Sequence, residues 1–507
     1  MVMAGRDMRE LEAEYQAAPA PDASLGGLML PGTPYWWRDR LLRGLVRRDR
    51  TLRRYEDYYD GEHPLLFQTQ AFRKVFGQLF VGFADNWCPL VVDAVEERLE
   101  VAGFRVGTDP QAPGDSAAWD QWQLNHMDAE SSVAHTDALI EGESSVLVWG
   151  SSDGPVITVE HPLEMIVECE AGSRYRRSAA LKRWTQDDGT WRVTLYLPDA
   201  LYKWRSDRKV SDYTDVGRIV WREAPGAGEP WPLPNPLKVV PVVPLWTKPR
   251  GRREATSELA SVIPQQNMCN KLLADMMVAS EFAGFRQRWA TGIELPVDPK
   301  TGKTVEPFTS AVNRLWVANP ADEESPAPSF GEFDATDLNN YVHAVELIVQ
   351  HIASQTRTPP HYFYLGGGQP PSGESIKSAE SGLVAKSHRR MLYYGQSWEE
   401  VQRLVFLVLR DPKSEAPIET VWKDPEFRSE GEHVDAITKK RALGIPDEVL
   451  WQELGYTPQQ VESFKRMRLE QSVADAALVD AAAAIAPPPA VAPEPASAPP
   501  GVPTPPV

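Results

Sequence analysis

Ten residues, "GGGQPPSGES" from Gly366 to Ser375, come close to a phosphate-binding loop. Read from Gly368 they spell G-Q-P-P-S-G-E-S, one residue away from G-x-x-x-x-G-K-[ST]. A working loop follows a buried strand and cradles phosphate with backbone N–H groups and a lysine ammonium. Here Glu374 holds the lysine position, and its carboxylate repels phosphate. The preceding segment, "IVQHIASQTRT", has helical spacing. Ser372 suits the N-cap of the helix that follows, with Glu374 in its first turn, where the helix dipole favours an anion. The other half of the motif, Gly302-Lys303-Thr304, has Val297 where a leading glycine belongs, and "DPKTGK" reads as a turn. Neither place is expected to bind a nucleotide.

Other chemistries find as little support. The nine histidines include no HExxH, and His343 and His351, eight apart on one helix, have no acid specifically placed beside them. They read as polar or interface residues. "GESIK" lacks the second glycine of a nucleophile elbow. Seventeen tryptophans and 71 acidic residues suggest a glycosidase, but carboxylate pairing is not written in composition. Cys88, Cys169 and Cys269 are odd in number and far apart, which supports neither a disulfide framework nor a CxxC zinc site. No catalytic residue, cofactor or metal ligand is assigned.

The elements around these residues are more informative. A chain of 507 residues, 42% hydrophobic and 24% charged, can bury a large core over two or three domains. Its formal charge of −18 argues against broad adhesion to nucleic acid, since phosphate contacts dominate that affinity. No apolar run approaches the ~20 residues of a membrane span, and the start lacks a signal-peptide core. An intracellular, reduced, soluble protein is expected.

The first 35 residues read as poorly ordered. "WWRDRLLRGLVRRDRTLRRYEDYYDG" then places Leu41, Leu42, Leu45, Val46 and Leu52 at helical spacing, with arginines on what should be a solvated face. "NWCPLVVDAVEERLEVAGFRV" follows as a buried helix leading into a strand. From about 144 to 247, β-branched and aromatic runs separated by turns such as Asp153-Gly154 and Asp188-Gly189 predict antiparallel strands. Three long helices come next, over 257–289, 337–355 and about 373–410. Pro264 should kink the first or mark its true start, and Gly382 and Gly395 are bend points for the third. A hairpin and loop separate the first two. Short capped helices resume after 431, with Pro458 at a helix start and Gly444 and Gly455 at helix ends. The Ala/Pro-rich end reads as a disordered tail.

Between the second and third helices, "TRTPPHYFYLGGGQPPSG" sets two Pro-Pro pairs around three glycines and an aromatic cluster. Stiff ends and a permissive tip suit a gate or a contact lining a passage. "YYDGEHPL", "FGQLFVGFADNWCPLVVDAVEERLEVAGFRV", "GEFDATDL", "TRTPPHYF" and "SGESIKSAESGLVAKSHRR" together closely resemble the portal proteins of tailed bacteriophages, especially the siphovirus type. The resemblance runs in order from about 35 to 470. No single stretch is diagnostic; the series together is fairly specific.

The resemblance implies an α+β, ring-forming oligomer, usually of about twelve copies, at one capsid vertex. Residues 36–253 would be a mixed wing with an antiparallel β region. Residues 254–289 and 332–355 would be stem helices, 290–331 a small clip hairpin and 356–372 a tunnel loop. Residues 373–431 would be a long kinked helix returning to the wing, 432–475 a helical crown and 476–507 a disordered tail. Such a ring carries double-stranded DNA during packaging and ejection, without sequence specificity. Its implied partners are the terminase large subunit, scaffold and major capsid proteins, and a head-completion adaptor; no membrane is involved. It would be a virion component assembled in the host cytoplasm, structural rather than catalytic. Candidate DNA-facing residues are Arg357, Thr358, Pro359, His361, Tyr362, Tyr364, Gly366, Gly367, Gly368 and Gln369. Arg357 could touch phosphate or cap the second helix, and both readings stand at this point. Candidate motor or neck contacts are Lys300, Lys303, Arg314 and Trp316.

A size argument agrees. Twelve helices ~10 Å across make a circumference of ~120 Å and an opening of ~28 Å. That admits a duplex with grooves ~8.5 and ~7.5 Å deep. An acidic conduit also lacks the counterion-release attraction that would hold sliding DNA. The rival readings are a non-channel adaptor or minor capsid protein, and a carbohydrate- or nucleotide-hydrolysing enzyme.

Overall fold

Thr33 stands before Pro34, and in the computed structural model its hydroxyl accepts the Trp36 N–H while the proline opens helix α1 (Pro34–Tyr59). This helix buries Leu41, Leu42, Leu45 and Leu52, as their spacing predicts. Arg40, Arg43, Arg47, Arg50, Arg53 and Arg54 are exposed, as expected of a solvated face, and two arginines depart from it. Arg38 is buried with its guanidinium 5.1 Å from the Trp204 ring, and Arg48 donates to Glu143 and to the Pro162 and Met165 carbonyls. Apolar stems and planar heads let arginine cross a packed face when partners wait beyond it.

The structure describes residues 30–64, 85–108, 114–210, 219–251, 255–284, 288–291, 299–302, 329–332, 337–363, 373–426, 430–456 and 458–485. The N-terminal residues expected to be poorly ordered fall outside these up to 29, and the Pro-rich end does so from 486. The chain divides into two compact units, Met1–Phe427 and Arg428–Val507.

In the first unit, α2 (Cys88–Glu96) leads into β1 (Val101–Val106), as expected. Helices α3 (Ser116–Leu124) and α4 (Met127–Glu141) follow, then β2 (Glu143–Ser151) and β3 (Gly154–Glu160). Asp153-Gly154 makes the β2–β3 turn, with Gly154 at φ +124°. Strands β4 (Met165–Cys169), β5 (Arg177–Thr185), β6 (Thr190–Tyr196), β7 (Ala200–Lys209) and β8 (Trp221–Glu223) form an antiparallel sheet in that order, and β9 (Leu233–Pro234) also pairs with β7. One face of this sheet takes Trp191, Val193 and Leu195 into a cluster with Leu41, Leu42 and Leu45 of α1. Strand β10 (Val242–Trp246) joins β2 and β3 in a separate antiparallel sheet.

After a 3₁₀ turn at Leu259–Ser261 comes α5 (Ile263–Gly284), so Pro264 marks the true start of that helix. Strands β11 (Arg288–Thr291) and β12 (Ser329–Glu332) pair antiparallel, and α6 (Asn339–Thr356) packs against α5, while the hairpin expected over 290–331 lies mostly outside the described residues. The 37-residue helix α7 (Gly373–Leu409) is continuous through Gly382 and Gly395 and carries Glu374 in its first turn. Strand β13 (Ile418–Trp422) returns to pair with β1. Gly395 provides close approach: a Cβ there would lie 3.2 Å from Trp422 Nε1, and Thr420 Oγ1 donates to its carbonyl. The main core joins Phe104, Trp122, Val262, Ile352, Leu383 and Trp398, which fixes the bases of α5, α6 and α7 in one apolar body.

The second unit holds α8 (Glu430–Ala442), α9 (Asp447–Glu453) and α10 (Pro458–Ile485). Pro458 opens α10, and Gly444 and Gly455 take positive φ between helices, as expected. Helix α10 runs to Ile485, past the 476 boundary expected for the tail. Alanine has the highest helix propensity, and "ADAALVDAAAAI" is dominated by it.

Candidate functional site

The segment joining α6 to α7 begins where Arg357 enters the left-handed region at φ 59° and turns its N–H back toward the Ser354 carbonyl, 3.4 Å away. Arg357 is therefore the C-cap of α6, one of the two roles open to it, and the residue is exposed. Thr358 and Pro359 are buried, and Thr356 Oγ1 donates to Thr358 Oγ1 at 2.9 Å. Tyr362 Oη accepts from Arg98 Nη2 at 2.7 Å and reaches Glu380 Oε1 at 3.4 Å. His361 Nε2 lies 3.7 Å from the same Glu380 oxygen, and Phe363 packs on Trp87. Residues 357–363 thus form an anchored base.

Thr358, Pro359 and Tyr362 are held within the chain. Their side chains are turned to partners in the same chain, because apolar and aromatic groups next to a helix end gain most by burial. Tyr364, Gly366, Gly367, Gly368 and Gln369, and the expected N-cap Ser372, lie outside the described residues. Of the other candidate contacts, Lys300 is exposed in a turn, while Lys303, Arg314 and Trp316 also lie outside.

A buried ionic cluster holds the helix bases. Arg390 of α7 donates to Glu258 Oε1 through Nε at 3.0 Å and Nη2 at 2.6 Å. Lys248 Nζ and Lys386 Nζ approach Glu258 Oε2 at 2.7 and 3.1 Å, and Lys386 also donates to the Thr356 carbonyl. Burial would raise the Glu258 carboxyl, but Lys386, Lys248 and Arg390 hold it down to about 2. Burial pushes Lys386 below the usual lysine range, against the pull of Glu258. One carboxylate thereby links the approach to α5, the end of α6 and the middle of α7. Sequence reasoning missed this cluster. Its signal was present: Lys386 and Arg390 fall on the α7 face that carries Leu383, Ser387, Met391 and Tyr394, so two cations had to be buried and paired.

The profile of the phage portal protein family, SPP1 Gp6-like, matches residues 40–476. The chain belongs to this family. It is 29% identical over 479 residues to the portal protein of Mycobacterium phage L5, covering 89% of this chain and 91% of that one. The portal protein of Mycobacterium phage D29 is also 29% identical, over 465 residues, covering 86% and 88%. Among solved structures, a chain from the neck of a native GTA particle matches with TM-score 0.40 and 10% identity over 77% of this chain and 94% of its own. One from the neck of an empty GTA particle matches with TM-score 0.41 and 12% identity, over 76% and 92%. A phage portal protein is a virion component, and the family is structural rather than enzymatic. No described helix is long and apolar enough to cross a membrane.

Two further features lie in the β-rich part of this portal chain. An open groove of about 650 Å³ is lined by Trp149, Trp184 and Trp204, the residue types that suggested a sugar platform. Its carboxylates are Glu164 and Glu229, and Glu229 is taken up by Lys203 Nζ at 2.5 Å and the Gly226 N–H at 2.8 Å. Glu56, Glu141 and His161 converge from α1, α4 and the end of β3, with one donor atom of each within 4.8 Å of the others. Burial disfavours the His161 imidazolium, but the Glu56 hydrogen bond and the charges of Glu141 and Asp137 lift its pKa to about 9. Sequence reasoning assigned no metal ligand, and three residues separated by 85 and 20 positions leave no spacing signature.

Proposed function

We propose that copies of this chain close into a ring, expected at about twelve subunits, at one capsid vertex. In it α5 and α6 line an axial channel through which double-stranded DNA is packaged and ejected. The observation that carries this reading is apolar surface on the helical pair of a portal-family chain. Met268 on α5 and Leu347 on α6 are 56% and 53% exposed, and Leu347 stands across α6 from the buried Val349 and Ile352, while Val342, 43% exposed, continues the buried stripe beyond the core. Helices with apolar side chains on a second face need a second neighbour, and adjacent copies in a closed ring supply it.

In this reading the anchored segment 357–363 holds residues 364–372 toward the axis, and Arg357 is the exposed cation at their base. Residues 290–331, with Lys300, Lys303, Arg314 and Trp316, face the terminase large subunit and later the head-completion protein. The wing meets scaffold and major capsid proteins, and assembly takes place in the host cytoplasm. The second unit would serve as the crown.

Electron microscopy of the purified chain tests the ring: closed particles with a central hole are expected. Leu347→Glu with Val342→Glu should yield folded subunits that no longer close. Monomers alone, even beside scaffold and capsid proteins, would overturn the reading. Shortening Gly366–Gly368 should spare the ring and reduce the fraction of DNA-filled heads.

A further inference from the structure

Glu141 is the last residue of α4, where the carbonyl end of the helix dipole disfavours a carboxylate. Its side chain is 1% exposed, and neither oxygen has a hydrogen-bond partner. Burial lifts this carboxyl to about 8, and the protons that balance it there are ones a metal ion can displace. The carboxyl points at His161 Nε2, 3.4 Å away, and Glu56 Oε1 reaches the same nitrogen from α1 at 3.2 Å. Asp137, one turn earlier on α4, acts electrostatically on both His161 and Glu56. Arg48 is the neighbouring cation, but its guanidinium is engaged by Glu143 and by the Pro162 and Met165 carbonyls.

We propose that Glu56, Glu141 and His161 bind a divalent transition-metal ion of the zinc class. A tetrahedral ion with bonds of about 2.0–2.2 Å has ligand-to-ligand edges of about 3.3–3.6 Å. The two carboxylate-to-imidazole separations fall at or within 0.1 Å of that range. One nitrogen and two carboxylate oxygens form a donor set suited to zinc, and the partial exposure of Glu56 and His161 leaves room for water in the fourth position. The ion would staple α1, α4 and the end of β3.

Coordination has one local consequence. The Leu163 N–H donates to His161 Nδ1 at 3.2 Å, so Nε2 carries the proton in neutral imidazole. With its pKa lifted to about 9, His161 carries protons on both nitrogens near neutral pH, and a metal must displace the one on Nε2. Affinity therefore falls with pH as protons compete for the nitrogen.

The full-length chain, stripped with EDTA and dialysed, is titrated with zinc chloride by calorimetry. One zinc per chain is expected. Cobalt(II) should give the visible bands of a tetrahedral site, and the Leu163 amide resonance should shift on loading. Glu141→Gln and His161→Gln should each weaken zinc binding more than tenfold, since even outer-shell changes cost about 10–100-fold. Circular dichroism of each variant in EDTA reports its fold. Glu141→Gln matches the shape of the protonated carboxyl that burial favours, so it keeps the fold if His161→Gln does not. Absence of stoichiometric zinc in the wild-type chain, or equal affinity in the folded variants, overturns the site and leaves a histidine–carboxylate ion cluster. The result is independent of ring formation.

Discussion

Arg390 and Glu258, 132 positions apart, meet through two hydrogen bonds to one carboxylate oxygen, with both side chains 5% exposed or less. The same carboxylate balances Lys248 and Lys386, so it is outnumbered by cations. Glu258→Gln should cost about 3–5 kcal/mol, because it leaves buried charges without a counter-ion. The acid limb carries its own signature. Glu258 is held at about 2 in the folded chain against an ordinary 4.5, so its contribution is complete above 4.5 and is lost as pH falls toward 2. Urea unfolding across that range should show a slope in the wild type that Glu258→Gln lacks. Equal slopes would remove Glu258 from the account.

A buried histidine sets a second acid response at higher pH. His135 is fully buried, accepts from Trp398 Nε1 at 2.9 Å and stacks on Tyr394. Burial depresses its pKa to about 3, so the folded chain keeps it neutral. The sign is that of a lowered histidine: stability is complete above the ordinary 6.5 and falls as pH drops toward 3. The loss should approach about 1.4 kcal/mol per pH unit. His135→Gln should be less stable at neutral pH but flatter between about pH 6 and 4. A variant that keeps the wild-type slope would show that another group titrates there.

Periodicity made the single elements legible. The leucines of α1, the starts at Pro264 and Pro458, and the Asp153-Gly154 turn all follow from local rules about burial and backbone angle. What stayed hidden depends on pairing across long separations. Arg38 and Arg48 read as solvated because their partners, Trp204 and Glu143, lie in later strands. The resemblance names Thr358 and Pro359 as DNA-facing candidates, and no local signal in the sequence marks their burial just past α6. A one-dimensional pattern shows that a face is buried and says little about what buries it.

Gly142 separates two costs that a glycine can conceal. It sits at φ +97°, and a Cβ there would lie 2.9 Å from the Ser257 nitrogen, in the segment that carries Glu258. Gly154 has φ +124° with nothing within 4 Å of its Cβ position. Both alanine variants are strained in the backbone, at about 1–3 kcal/mol each. Only Gly142→Ala also collides, so its melting temperature should fall further. Equal losses would mean that the Ser257 segment yields without cost.

The last test concerns the anchor beneath the connecting loop. Tyr362 Oη joins Arg98, just past α2, to Glu380 on α7, and Arg98 and Glu380 themselves lie 3.8 Å apart. Tyr362→Phe leaves the ring packing in place and removes the hydroxyl, which should cost about 1.5–3 kcal/mol for bonds to charged groups. Arg98→Met should cost a similar amount. Because the two share one network, the double variant should lose less than the sum, by about 0.5–3 kcal/mol of coupling. Denaturant midpoints of the four proteins measure it. Strict additivity would mean that the hydroxyl and the guanidinium stabilise the chain separately, and that residues 357–363 are held by the burial of Thr358, Pro359 and Phe363 alone.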